Sequence, residues 1–494
     1  QRPASMDRGS MSVAEWHARR DEDASPSEWL RAAAKATGHA VDSAEFAAWL
    51  DESDPLRTSR EKFHIPEHQP GQEQIYLCGN SLGPVPRATA AAVQAELQKW
   101  AMGGVSGHFT GELPWATCEE VLPALMAEVV GAEDAKLEVA AMNSLTVNLH
   151  MLMAAFYRPS AGRGAILIEA GAFPSDRIAV VTQLRNHGLD PATELIEVAP
   201  RADTLLYTED ILATITRHHH RLALVLLGGV NYLTGQVLEM GAIAAHVRTL
   251  NAAAQARGAP AVPFGLDLAH AVGNVPLKLH EWGVDFAAWC TYKYLNAGAG
   301  CLASIFVHSS HAADDALYPR LSGWWGVPFD TRFVMAPDAP LATGAAGFGC
   351  SNVNPLMVAC LQQSLLVLQQ AGGVAATRRK SLLLTGYLEL LLHTCGLTSA
   401  AAAGAARRCS VAIVTPAEPR SRGCQLSLRV QPAEVGSAPP SMRELERRLR
   451  ERGVSTDARE PDIVRVSPAP LFNSFDDVRR LIAELTACLV ELAS

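Results

Sequence analysis

A chain of 494 residues exceeds one typical domain, and 48% apolar with 19% charged residues is enough for a large core, so two domains and a terminal extension are expected. A net charge of −9 argues against nucleic acid or an anionic membrane as the main partner, and no run of about 18 apolar residues reads as a membrane span. The ten cysteines are scattered singly without a CxxC pair, and the early arginines are interleaved with Asp7, Asp21, Glu22 and Asp23. Free thiols in a reducing, cytoplasmic setting are therefore expected, without a secretory or transit leader.

Residues 1–75 read as an N-terminal extension, with helices at 28–37 and 43–51 ahead of a polar stretch. Residues 76–345 form the large domain. Strand-length apolar runs lie near 165–169, 222–227, 262–266, 285–290 and 301–307, with helical patterns at 87–101, 119–130, 144–157, 176–187 and 241–257. Such alternation predicts an α/β fold with a mostly parallel sheet covered on both faces, and a ligand site at the carboxyl ends of its strands. Residues 346–494 change character. Long helices at 355–371 and 374–394 precede strands at 409–414, 424–430 and 463–466 and helices at 441–452 and 474–492, a smaller α+β domain. Residues 400–406 and 432–440 read as surface loops.

Lysine is scarce, seven against 35 arginines. Only a primary amine can lose its proton and form a Schiff base, which draws notice to Lys293 in residues 290–300, CTYKYLNAGAG. Asp267 ends an apolar run, and His270 follows it as Asp-x-x-His. An Asp there caps a loop as readily as it pairs with a ring nitrogen; the Tyr-Lys pair 26 residues on favours the second role. Residues 143–148 start a helix whose free N–H groups, with the Thr146 hydroxyl, suit a phosphate. Phe173 follows the 165–169 run, placed to stack on a ring. Together these groups hold a phosphate, protonate a ring nitrogen, anchor an aldehyde and cover a ring, the requirements of pyridoxal phosphate (PLP). Trp324 and Trp325 between Gly323 and Gly326 exceed what packing needs, and Arg465 is suited to grip a carboxylate. His218, His219 and His220 read as a solvated turn, and no metal site is expected.

Five segments carry a resemblance: YLCGNSLG at 76–83, MNSLTVNLH at 142–150, FPSD at 173–176, FGLDLAHAVGN at 264–274 and WGVDFAAWCTYKYLNAGAG at 282–300. In this order they resemble the kynureninase family of fold-type-I PLP enzymes, in the class V aminotransferase-like group. The resemblance implies hydrolytic Cβ–Cγ cleavage of L-kynurenine or 3-hydroxy-L-kynurenine to L-alanine and anthranilate or 3-hydroxyanthranilate. It implies PLP held as a Schiff base on Lys293, Asp267 on the ring nitrogen, and Phe173 stacked on the ring. Leu145, Thr146 and Tyr292 would meet the phosphate, and Pro174, Ser175, Asp176 and His270 would surround the ring. It further places Trp324 and Asn352 near a homodimer interface, His108 and Asn352 around the aryl group, and Arg465 on the substrate carboxylate. Lys293 would also move the α-proton, with Tyr292 as a candidate base for water.

The chain departs from the family at Gly228, where many members have Ser, and in residues 231–234; rearranged cofactor contacts are expected there. Two rivals stand beside this reading. A cysteine desulfurase-like lyase needs a nucleophilic thiol on a mobile loop, for which Cys350 is the sole candidate. A non-catalytic PLP-binding homologue would bind the cofactor and turn nothing over.

Overall fold

The apolar runs of the large domain become strands of one seven-stranded sheet in the computed structural model, which describes residues 12–18, 25–312, 318–398, 409–432 and 441–492. The loop expected at 400–406, and all of that at 432–440 but its first residue, lie outside the described residues. In chain order the strands are β1 (Val139–Ala141), β2 (Ala165–Glu169), β3 (Leu195–Val198), β4 (Leu222–Gly228), β5 (Phe264–Asp267), β6 (Phe286–Trp289) and β7 (Ser304–Val307). They lie side by side in the order β1-β7-β6-β5-β4-β2-β3. Only β7 runs against its neighbours, pairing antiparallel with β1 and β6. β2, β5, β6 and β7 are buried at every residue, as continuous apolar strands covered on both faces should be. Helices supply that cover; Met240–Gln255, for example, buries Met240, Ile243, Ala244 and Val247 along one stripe.

This unit comprises Pro86–Tyr232 and Val237–Gln369. The α/β architecture is the one the alternation predicted. Missed were β1, three residues of Val and Ala just ahead of a stronger helical signal, and β3, a short and mostly half-exposed edge strand.

Register brings functional residues together. Asp267 at the end of β5 pairs with Gly228 at the end of β4, and β4 pairs with β2, whose last residue is Glu169. The β5–β6 contact leaves no room for a side chain at Gly265, where a Cβ would stand 2.2 Å from the Phe286 ring. Gly265→Ala is therefore expected to lower unfolding stability by about 1–3 kcal/mol, measured by denaturant titration, and to shift Asp267 two residues away. A substitution without effect on either stability or cofactor binding would contradict this packing.

The other unit comprises Gln1–Val85, Leu233–Gln236 and Gln370–Ser494. Its sheet contains β8 (Cys409–Ile413), β9 (Leu426–Pro432), β10 (Asp457–Arg459) and β11 (Ile463–Val466), in the antiparallel order β8-β9-β11-β10. Helices Pro26–Thr37 and Ala44–Glu52 share one core with the later helices Gly373–Thr394 and Phe475–Glu491, through Trp29, Leu30, Phe46, Leu50, Tyr387 and Leu481. Asp51 accepts the Phe475 and Asp476 N–H groups at 2.7 and 3.1 Å, tying the two parts of the chain at a helix start.

Candidate active site

A cavity of about 220 Å³ opens where β2, β4 and β5 end. One wall is the start of helix Leu145–Phe156, whose N-cap Ser144 makes no side-chain cap bond. The first helical bond is Asn148 N–H to Ser144 O, so the preceding N–H groups at Leu145 and Thr146 have no helical acceptor. Asn143 turns the chain into this helix at φ 50°, a left-handed conformation that Asn tolerates. Its amide donates to Asn148 Oδ1 at 3.0 Å, and the Asn148 amide donates to Met142 O at 2.9 Å. The turn presenting the free N–H groups is thus held from both sides. Thr146 Oγ1 lies 2.8 Å from Ser175 Oγ, so a second helix, Pro174–Asn186, adds its own hydroxyl to the same corner.

Acidic groups lie deeper. Asp267 accepts the Ala269 N–H at 2.7 Å, and Asp176 is hydrogen-bonded to it. Burial raises the proton affinity of both carboxyls. Asp176 is raised further by the neighbouring charges of Asp267 and Glu169. Asp176 therefore holds a proton and donates to Asp267, which carries the negative charge.

Lys293 sits in the loop after β6, with Nζ 2.9 Å from His270 Nε2. It lies 5.9 Å from the centre of the Phe173 ring and 6.0 Å from that of Tyr292. The loop is closed by Thr291 Oγ1 donating to Leu302 O at 2.5 Å and by Asn296 at φ 59°. Burial and the nearby Cys290 push the Tyr292 phenol well above its ordinary range. Phe173 is 43% exposed at the mouth, edge-on to Tyr232 at 5.2 Å.

The donor set fits PLP. The uncapped helix start with Thr146 and Ser175 suits a phosphate, and buried Asp267 suits a pyridine N–H. Lys293 offers the amine for the aldehyde, and Phe173 and His270 offer aromatic cover. Leu145, Thr146, Phe173, Ser175, Asp176, Gly228, Asp267, His270, Tyr292 and Lys293 all line this one cavity, and Pro174 opens the second helix beside it.

Other expected site residues lie elsewhere. His108 and Asn352 share a separate crevice of about 290 Å³ with Trp100 and Trp115. Trp324 lines neither; its indole N–H donates to Arg332 O at 3.0 Å. Arg465, in the other unit, is buried and ion-paired with Asp457. His218 ends helix Thr208–His218, and His219 Nε2 pairs with Asn251 Oδ1 at 3.1 Å. Glu138, His280 and His308 form a cluster of metal-binding composition, but His280 is already clamped between Glu133 at 2.5 Å and Glu138 at 2.6 Å.

Sequence reasoning missed Glu169 and reached Tyr232 only within the divergent 231–234 segment; both line the Lys293 cavity. The one available signal for Glu169 is a charge closing an otherwise apolar strand. It also explains the tolerance for Gly228: the Gly228 N–H donates to both Glu169 carboxyl oxygens at 3.2 Å, filling the space a side chain there would need.

Comparison with known proteins places the chain. The family described as "Kynureninase C-terminal domain" matches residues 377–485. A kynureninase from Xanthomonas campestris pv. campestris strain 8004 is 50% identical over 438 residues, 88% of this chain and 96% of its own length. The chain belongs to the kynureninase family. A kynureninase from Nematostella vectensis is 44% identical over 474 residues, 94% of this chain and 97% of its own. Among solved structures, the cystine C-S lyase C-DES with its product cysteine persulfide aligns at TM-score 0.64 and 18% identity, over 84% of this chain and 97% of its own. The Escherichia coli cysteine desulfurase CsdA aligns at TM-score 0.65 and 16% identity, over 89% of this chain and 99% of its own. At such identities the likeness speaks to fold alone, and the fold is PLP fold type I as expected. For a kynureninase the cofactor is PLP. A desulfurase-like activity is not favoured: Cys350 does not line the Lys293 cavity, and its Sγ faces Leu321 O at 3.9 Å.

Proposed function

We propose that this kynureninase hydrolyses the Cβ–Cγ bond of L-kynurenine, 3-hydroxy-L-kynurenine or both, releasing L-alanine with anthranilate or 3-hydroxyanthranilate, in tryptophan catabolism and NAD biosynthesis. The observation carrying this reading is the convergence of Lys293, Asp267 and the uncapped helix start on one cavity in a chain of this family. Bound PLP supplies an electron sink that weakens the substrate Cα–H bond and then the Cβ–Cγ bond.

The residues divide the remaining work. Lys293, once freed of the cofactor, takes the α-proton at Nζ, with His270 Nε2 within hydrogen-bond distance at 2.9 Å. Asp267, kept ionised by the proton on Asp176, holds a proton on the ring nitrogen. Leu145, Thr146 and Ser175 orient the phosphate. Tyr292 is a phenol at neutral pH, since burial opposes its ionisation, and so serves better as a proton donor than as the base for water. His108 and Asn352 shape the aryl pocket in this reading.

Arg465 is the proposed ligand of the substrate α-carboxylate; its ion pair with Asp457 fixes the guanidinium plane. Arg465→Ala is expected to raise KM by about 10–100-fold with a smaller change in kcat, the loss of a charge-assisted contact. Steady-state kinetics check this; an unchanged KM removes Arg465 from the site.

A homodimer is part of the proposal. Trp324 and Asn352 lie outside the Lys293 cavity of their own chain, and Trp324 belongs to an exposed aromatic group with Phe329 and Phe333. A second copy would cover that surface. Cytoplasmic location is proposed from the ten cysteines, none of them held in a disulfide. No described helix is long and apolar enough to cross a membrane.

The test is to mix protein and PLP with L-kynurenine, 3-hydroxy-L-kynurenine and L-cysteine, following fluorescent anthranilates, alanine and sulfide. Anthranilate with stoichiometric alanine is expected. Sulfide without anthranilate would instead mark a desulfurase-like enzyme, and no product a non-catalytic homologue.

A further inference from the structure

Glu169 closes β2 with its side chain turned into the protein, only 6% exposed. Its two oxygens each lie 3.2 Å from the Gly228 N–H, and a Cβ at position 228 would stand 2.8 Å from Oε1. The carboxyl thus occupies room that any side chain at 228 would contest. The same carboxyl lines the cavity together with Asp176 and Asp267. Three carboxyls there face one lysine and one histidine, so they cannot all remain anions at once.

We propose that Glu169 is a positioning residue for the cofactor, packing against Gly228 in place of a side chain there and taking up a proton as the cofactor loads. The inference rests on the assignment of the Lys293 cavity as the cofactor site.

The charges around Glu169 decide the direction. Asp267 on β5 opposes its ionisation, while Asp176 on the Pro174–Asn186 helix is protonated and adds no charge. Lys293 and His270 lie across the same cavity. On β3, Glu197 stands beside Ile168 and is ion-paired with Arg177 at 3.2 Å. Burial, with the Asp267 charge, pushes Glu169 up to about 7. A ligand filling the cavity displaces the remaining water and penalises the anion further. Below about pH 7 the proton is already in place and loading requires none. Above it, loading must draw a proton from solution, so affinity falls by up to about tenfold per pH unit.

The experiment strips full-length protein of cofactor and titrates it with PLP between about pH 6 and about pH 8.5. Tryptophan fluorescence gives affinity, and calorimetry in buffers of different protonation enthalpy gives proton uptake. Glu169→Gln keeps the shape and removes the titration. At the acid end E169Q should bind within about twofold of wild type; at the alkaline end wild type should be about thirtyfold weaker and take up close to one more proton. Equal pH slopes overturn the proposal, as does an E169Q protein that is folded by circular dichroism yet loses the cofactor at every pH. If E169Q does not fold, Gly228→Ala replaces it: the displaced carboxyl should again abolish the extra proton uptake, and unchanged uptake overturns the proposal. A wild type without saturable PLP binding at any pH would reject the cavity assignment itself, a distinguishable failure.

Discussion

Lys293→Ala is expected to lower kcat by at least about 10³-fold, the largest effect of any single substitution in this chain. One amine is assigned two tasks, holding the cofactor and moving the α-proton. No other lysine lines the cavity among the described residues, so no neighbour can substitute. Arginine cannot either, because its guanidinium keeps its proton. The measurement is single-turnover and steady-state release of anthranilate. Partial rescue by added small amines would identify the proton-transfer task. Full activity in the variant would remove Lys293 from the mechanism.

Asp267→Asn should produce the second largest loss. A buried carboxylate facing a ring N–H makes a charge-assisted bond worth about 1.5–3 kcal/mol, so PLP affinity should fall about 10–100-fold, and kcat with it. The neighbouring Asp176 adds a second expectation. It is protonated because Asp267 and Glu169 are close and burial is deep. Once the Asp267 charge is gone, Asp176 ionises more readily and can partly take over. Residual activity in D267N should therefore rise with pH as Asp176 loses its proton, and D176N/D267N should abolish that rise. A flat pH profile in D267N would contradict the pairing of the two carboxyls.

Sequence and structure agree most closely where a residue and its chemical context are neighbours in the chain. Lys293 lies between two tyrosines, Asp267 closes an apolar run, and Phe173 follows another, so each was legible together with its surroundings. The uncapped helix start was legible too, because Asn143 and Ser144 immediately precede the apolar pattern. The α/β alternation survived for the same reason: β2, β4, β5 and β6 are runs whose burial on both faces makes them continuously apolar.

What escaped depends on contacts between distant residues. Glu169 reads as an ordinary strand-end charge until β2 and β4 are paired and the Gly228 N–H is seen pointing at it. The crevice shared by His108 and Asn352 joins positions whose proximity no local pattern announces. Trp324, between glycines and beside Trp325, looked like more than packing needs, but the fold gives its N–H to Arg332 O. β1 and β3 were invisible because three Ala and Val residues, or an edge strand carrying a Glu, hold too little periodicity to separate strand from loop.

The most direct measurement of the central claim is borohydride reduction of the PLP-loaded protein, followed by peptide mapping. With seven lysines in the chain, the phosphopyridoxyl label should fall on Lys293 and be absent from K293A. A label on any of the other six, or none on a protein that binds PLP and cleaves kynurenine, would contradict the account.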